Sequence, residues 1–164
     1  MRIFLFLLIF VPLLSFNQSK LDLRDLKSIS SKSTFQKVVL ENGFSKNSAI
    51  EWKLVYGYNL NKDFSDPDDY EASTWGDFYY SNETFRFQFY KLNLESEMSY
   101  NRIVRQIQSS CNFHSIDEKS DYDIIYYGCP GAKFKGVIGY YDDGDNGLFI
   151  RTKPVSYTHL TLPT

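Results

Sequence analysis

The stretch TFRFQFYKL, residues 84–92, constrains the fold more than any other part of the chain. Phe85, Phe87 and Phe89 alternate with Thr84, Arg86, Gln88 and Tyr90. A period of two puts the rings on one face and the polar groups on the other, which predicts a half-buried β-strand. AIEWKLVYGYNLN repeats the pattern: Ile50, Trp52, Leu54, Tyr56 and Tyr58 alternate with Glu51, Lys53, Val55, Gly57 and Asn59, so one long strand is expected there. EASTWGDFYY reads as a strand with Gly76 at a bulge or close approach, and SNE as the turn after it. NFHSID, YDIIYYGC, KFKGVIGYY and GLFIRT supply the remaining strands. YDIIYYGC is apolar on both faces, which suits a central place in the sheet. DDGDNG, residues 142–147, joins the last two strands as a hairpin loop, with Asn146-Gly147 as its turn signal.

Two segments change to a helical period. In STFQKVVLENGF, Ser33 and Gln36 have capping-box spacing, Phe35, Val38 and Val39 share one face, and Gly43 followed by Phe44 terminates the turn. A helix is expected at 34–42. Tyr100, Ile103, Val104 and Ile107 form an amphipathic stripe, predicting a second helix at 98–110. KLDLRDLKSISSK before them reads as an arm or a short helix. The halves run in parallel: Phe35-Gln36-Lys37-Val38-Val39 with Tyr100-Asn101-Arg102-Ile103-Val104, Phe44 with Phe113, and Tyr56-Gly57-Tyr58 with Tyr127-Gly128-Cys129. The expected class is therefore α+β. An antiparallel sheet carries two helices on one face, as a degenerate tandem repeat of one helix and three or four strands, with lobes at 30–95 and 96–153.

The ends read differently. Residues 1–17 have the layout of a secretory signal: Arg2, an apolar run from Ile3 to Phe16, then a polar boundary with cleavage expected before Gln18. The run is shorter than the roughly 20 residues of a spanning helix, and no cysteine at the boundary offers a lipid anchor. Residues 155–164, VSYTHLTLPT, resemble translated transposon-end and sequencing-adapter DNA, and Pro154 is partly covered by that match. The native domain is thus read as residues 18–153, exported to a periplasmic or extracellular setting. Losing Arg2 leaves 17 of the 18 basic residues against 20 acidic ones, a net charge of −3 without a long basic run. That gives no footprint for nucleic acid. Cys111 and Cys129 are an even pair in an oxidising compartment and are expected to form a disulfide.

No catalytic constellation stands out. DDGDNG lacks the glycine and glutamate of a calcium-binding EF loop. DFSDPDDY, with Asp63, Asp66, Asp68 and Asp69, reads as a solvated acidic loop. His114 lies near Cys111, but a bridged cysteine supplies no nucleophile. Asn82-Glu83-Thr84 is a glycosylation sequon by pattern, relevant only in a eukaryotic host. Neither metal nor cofactor is expected. The outward strand positions Lys53, Arg86, Gln88, Tyr90, Lys135, Tyr141 and Arg151 instead interleave aromatic rings with cations, as a face for a protein, a glycan or an anionic polymer does. The export signal, the FQKVVLENGF helix and the segment DYDIIYYGCPGAKFKGVIGY resemble small uncharacterised exported proteins of Bacteroidetes-type bacteria, a resemblance that implies no activity. Tandem αβ lobes with a disulfide are also similar in architecture to secreted proteins that inhibit β-lactamases. The expected function is a non-catalytic binding domain; the alternative is a small carboxylate-dependent secreted hydrolase.

Overall fold

The computed structural model describes residues 20–62 and 71–155. The leader, the acidic loop with Asp63, Asp66, Asp68 and Asp69, and residues 156–164 lie outside the described residues. The described residues open with a six-residue helix, α1 (Leu23–Ser28), which settles the choice between arm and helix at this segment. Asp22 caps it by accepting from the Arg24 and Asp25 amides, and Asp25 returns the bond to the Asp22 amide at 3.0 Å. Helix α2 (Lys32–Glu41) starts two residues earlier than expected because the cap is Ser31 with Thr34, not Ser33 with Gln36. Thr34 Oγ1 accepts from the Ser31 amide at 2.9 Å, which frees Gln36 to reach the Tyr56 hydroxyl at 3.2 Å. Gly43 follows at φ +81°, and Phe44 is buried beyond it.

Four strands then run as a meander: β1 (Phe44–Ile50), β2 (Lys53–Tyr58), β3 (Thr74–Tyr79) and β4 (Thr84–Phe89). The single strand expected across residues 50–58 is two. The chain turns at Glu51 and Trp52, and β1 is a polar edge strand whose sequence carries no alternation to announce it. Trp52 fits the apolar period yet sits 53 % exposed on the turn. Helix α3 (Leu94–Ser110) begins four residues before the expected start, at an Asn93 cap whose side chain accepts from the Ser96 amide. A second meander follows: β5 (Asn112–Glu118), β6 (Asp123–Gly128), β7 (Val137–Asp143) and β8 (Gly147–Lys153).

All eight strands form one antiparallel sheet in the order β1-β2-β3-β4-β8-β7-β6-β5, so the fold is α+β. The meanders join along β4 and β8, and the order of one helix followed by four strands occurs twice. The β6 strand lies next to an edge, not at the centre as its two apolar faces suggested. Its burial on both sides has another cause. The inner core takes Ile125 and Tyr127, while a second apolar cluster on the opposite face takes Ile124 and Tyr126.

Among the described residues three helices, not two, cover one face. α2 rests on β1 and β3, α3 on β4 and β8, and α1 fills the gap between them. Phe35 sits at the centre of the aromatic packing, 5.5 Å from Phe78, 5.8 Å from Phe87 and 6.2 Å from Tyr56 between ring centroids. Fully burying one such side chain contributes about 1.5–3 kcal/mol. Leu21, Leu26, Ile103, Ile107 and Ile150 extend the same core across both meanders, so the boundary at 95/96 falls inside α3 and not between separate cores.

Candidate functional site

The register determines which side chains share the face turned away from the helices. Lys53 pairs with Tyr79, Val55 with Asp77, Asp77 with Arg86, and Trp75 with Gln88. Directly opposed residues point the same way, so β2, β3 and β4 present Lys53, Asp77, Tyr79 and Arg86 together. Asp77 is the centre of this group at 3 % exposure. Its carboxylate takes Arg86 Nη2 at 2.6 Å and Nε at 3.1 Å, Lys53 Nζ at 3.4 Å and the Tyr79 hydroxyl at 3.4 Å. A buried carboxylate is tolerated because two cations and a hydroxyl compensate its lost hydration. Burial by itself would push the Arg86 guanidinium down, but the Asp77 charge outweighs it and holds the group above its usual range. Burial, then Asp77, pushes the Tyr79 hydroxyl up. Trp52 stacks on Tyr79 at 5.8 Å, with Lys53 Nζ 5.0 Å over the indole.

The other half of the face is apolar. Tyr141 is held between Tyr122 at 4.9 Å and Phe149 at 4.8 Å, all three rings nearly parallel. Ile124, Tyr126 and Val137 complete this second cluster. Gly139 has to be bare here, because a Cβ on it would stand 2.5 Å from the Tyr126 ring. Lys153 closes the far side, 4.5 Å over that ring and 2.8 Å from Asp117.

Between the halves lies the seam. Arg86 on β4 is directly opposite Arg151 on β8. A cavity of about 260 Å³ opens there, lined by Tyr79, Asn82, Thr84, Phe85, Arg86, Arg151 and Thr152. Arg86 is engaged by Asp77; among the described residues Arg151 has no hydrogen bond or ion pair, and it is half-buried. A second hollow of about 380 Å³ lies at the end of β2, β3 and β4, where Trp75 and Tyr90 meet Asn59, Asn61, Glu71 and Asn93.

Of the residues singled out by sequence, Lys53, Arg86, Gln88, Tyr141 and Arg151 come together on this face. Gln88 Nε2 donates to the Asn146 carbonyl at 3.3 Å, and Tyr90 stands 49 % exposed beside the larger hollow. Tyr141 is a buried member of the ring stack, not an exposed platform. Lys135 is apart from them, exposed on the β6–β7 connection, because β7 starts at Val137 and not at Lys133. Sequence reasoning missed Asp77, Trp75, Tyr79 and Phe149. The signal for the first three was off by one: the expected turn at Ser81-Asn82-Glu83 sets Tyr80 opposite Thr84 and Asp77 opposite Phe87, whereas the actual turn also takes Tyr80, which brings Tyr79 opposite Thr84 and Asp77 opposite Arg86.

Cys111, at the end of α3, is bonded to Cys129 just past β6, with Cα atoms 4.3 Å apart. His114 occupies a bulge in β5 and touches Ser115 Oγ at 3.0 Å. The 142–147 segment makes the expected hairpin: Asp143 pairs with Gly147, and the Asn146 amide donates to the Asp143 carbonyl at 2.9 Å. In the sequon, Asn82 Oδ1 is occupied by Thr84 Oγ1 at 2.6 Å. Among the described residues no group of three or more His, Cys, Asp or Glu stands together as a metal site, and no helix is long and apolar enough to cross a membrane. Comparison with family models, curated proteins and solved structures finds no match to this chain.

Proposed function

We propose that the chain is an exported, non-catalytic binding domain that offers the outer sheet face to a protein partner. The observation that carries this reading is the make-up of the middle of that face. Lys53, Arg86 and Arg151 stand against the single carboxylate of Asp77, with Trp52 and Tyr79 on one flank and Tyr141 and Phe149 on the other. Positive charge is left over on a molecule whose own net charge is −2, so the complementary surface is acidic. Arginine and large rings at the centre of a surface are the side chains that dominate protein interfaces. The leader-like residues 1–17 and the bridged cysteines support an exported setting.

The hydrolase alternative draws no support from Asp77 or Asp117 on this face. Asp77 is tied to Lys53 and Arg86, and Asp117 is held below the usual carboxylate range by its hydrogen bond from Lys153, the opposite of what a general acid needs. A photo-crosslinking residue placed at Trp52, on the face, and at Arg105, on the exposed side of α3, tests the reading in the periplasm of an expressing bacterium. One adduct is expected from position 52 only, and it should vanish in the Arg86→Ala, Gln88→Ala double variant. The same adducts from both positions would sink it.

A further inference from the structure

We infer that the seam cavity is a carboxylate subsite, filled by an Asp or Glu side chain of the protein partner, with Arg151 as its principal ligand. The inference rests on the docking reading above and names the chemistry at its centre. Two like charges directly opposite on neighbouring strands destabilise a sheet, and here the pair occupies the junction of the two meanders. The Arg86 member is neutralised and oriented by Asp77 through Nε and Nη2. Arg151 has no such partner among the described residues, so its guanidinium lacks the planar acceptor that its fork geometry matches.

The walls fit the same ligand. Asn82 spends its oxygen on the Thr84 amide and hydroxyl, at 3.3 Å and 2.6 Å, which leaves its NH₂ group to donate. The hydroxyl protons of Tyr79 and Thr84 are already given to Asp77 and Asn82, so the donors left to a ligand in the cavity are the Arg151 guanidinium and the Asn82 NH₂ group. In a partly desolvated hollow, a charged hydrogen bond is stronger than in water. At about 260 Å³ the cavity is below the range of pockets that enclose whole drug-sized ligands, and it suits one side-chain head group. The exposed Trp52 ring, stacked on Tyr79, supplies the water-excluding border of an interface hot spot on one flank.

The test uses the processed chain and two probes, acetyl-Gly-Asp-Gly-amide and its neutral counterpart acetyl-Gly-Asn-Gly-amide, followed by NMR at the arginine Nε–H signals and backbone amides. The Asp peptide should shift Arg151, Arg86, Asn82 and Thr84, with the effect fading as salt rises, and the Asn peptide should not. Arg151→Gln should weaken that binding at least tenfold while leaving Tm unchanged or raised, since it removes a repulsive pair; Arg151→Lys should fall between. Equal shifts from both peptides, shifts spread over unrelated cations such as Lys37 and Arg105, or a lower Tm with binding retained in Arg151→Gln would each overturn the inference. Tighter competition by inorganic phosphate would replace the carboxylate by a phosphoryl group and overturn it too. The two readings fail separately. Peptide shifts absent with crosslinking intact remove the subsite alone; peptide shifts present with no crosslink at position 52 remove the protein partner.

Discussion

In the first half of the sheet, the end of the helix is held to the second strand by a ring. Tyr58 closes β2, and its ring lies 3.4 Å from where a side chain on Gly43 would begin. In the second half the corresponding link is covalent, Cys111 at the end of α3 to Cys129 past β6. The outer faces divide as well. β2, β3 and β4 carry the ion-paired group around Asp77, whereas β6, β7 and β8 carry stacked rings. One order of elements thus tolerates two solutions to each packing problem. The inner core is continuous across the join, and the differences collect where that core makes no demand.

Exchanging or deleting the two tethers tests this contrast most severely. Tyr58→Ala should lose about 3–5 kcal/mol of stability by urea unfolding, as large-to-small changes of buried rings do. The Cys111→Ser, Cys129→Ser double variant should lose about 3 kcal/mol, in line with closing a loop of this size. A disulfide-free protein as stable as the parent would mean that the second half is held by its stacked rings alone.

Asp77→Asn should cost about 2 kcal/mol, because Arg86 and Lys53 would then face Arg151 with no counter-charge. Its Tm should rise with added salt, while the parent's should move little. Parallel salt responses would sever the Asp77 group from the stability of the first half.

Smaller effects sharpen the comparison further. Gly57 is the last residue but one of β2, and Gly128 is the last residue of β6. A Cβ at Gly57 would meet Ala72 and Leu60 at 2.9 Å, while one at Gly128 meets nothing within 4 Å. Gly57→Ala should therefore cost about 1–3 kcal/mol by overpacking. Gly128→Ala should change stability by about 0.5 kcal/mol in the favourable direction. Equal effects would dissolve the asymmetry.

The smallest change is expected on the alkaline side. Burial raises the hydroxyls of Tyr100, Tyr126 and Tyr141 in the second half; a hydrogen bond with Tyr140, then burial, raises Tyr127. In the first half Tyr58 and Tyr79 are raised, both chiefly by burial. A folded ring that keeps its proton above the unfolded value of 10.0 stabilises the fold fully below that pH, and the contribution is lost as pH climbs through the raised folded value. Tyr100→Phe should flatten this alkaline loss more than Tyr58→Phe, measured by Tm between pH 9 and 11. The reverse ranking would assign the alkaline weakness to the first half.

Alternation was legible wherever one face meets the helices and the other meets water or ions, as at Phe85, Phe87 and Phe89. It misled at Trp52, where an apolar residue keeps the period but serves a turn. It was silent at β1, whose edge position asks little of SKNSA. In β6 it pointed to the wrong place, because apolarity on both faces reports burial on both faces and not rank in the sheet. Cap positions were off by two to four residues, since several serines and asparagines compete for each helix start. The candidate site was half legible. Strand parity put Arg86 and Gln88 outward, but which strands become neighbours is a property of topology. The meeting of Arg86 with Arg151, 65 positions apart in the chain, follows from the β4–β8 pairing alone.

That pairing carries a lesson for how the molecule comes into being. The last of the described strands, β8, is inserted in the middle of the sheet, beside β4 and β7. The ribosome therefore delivers the seven other described strands before the one that lets them cohere, and a polypeptide cut short ahead of Gly147 would lose its keystone instead of a fringe. Until that final segment arrives, each meander exposes the flank meant for it, which makes a late helper or a swapped neighbour the natural hazard of assembly.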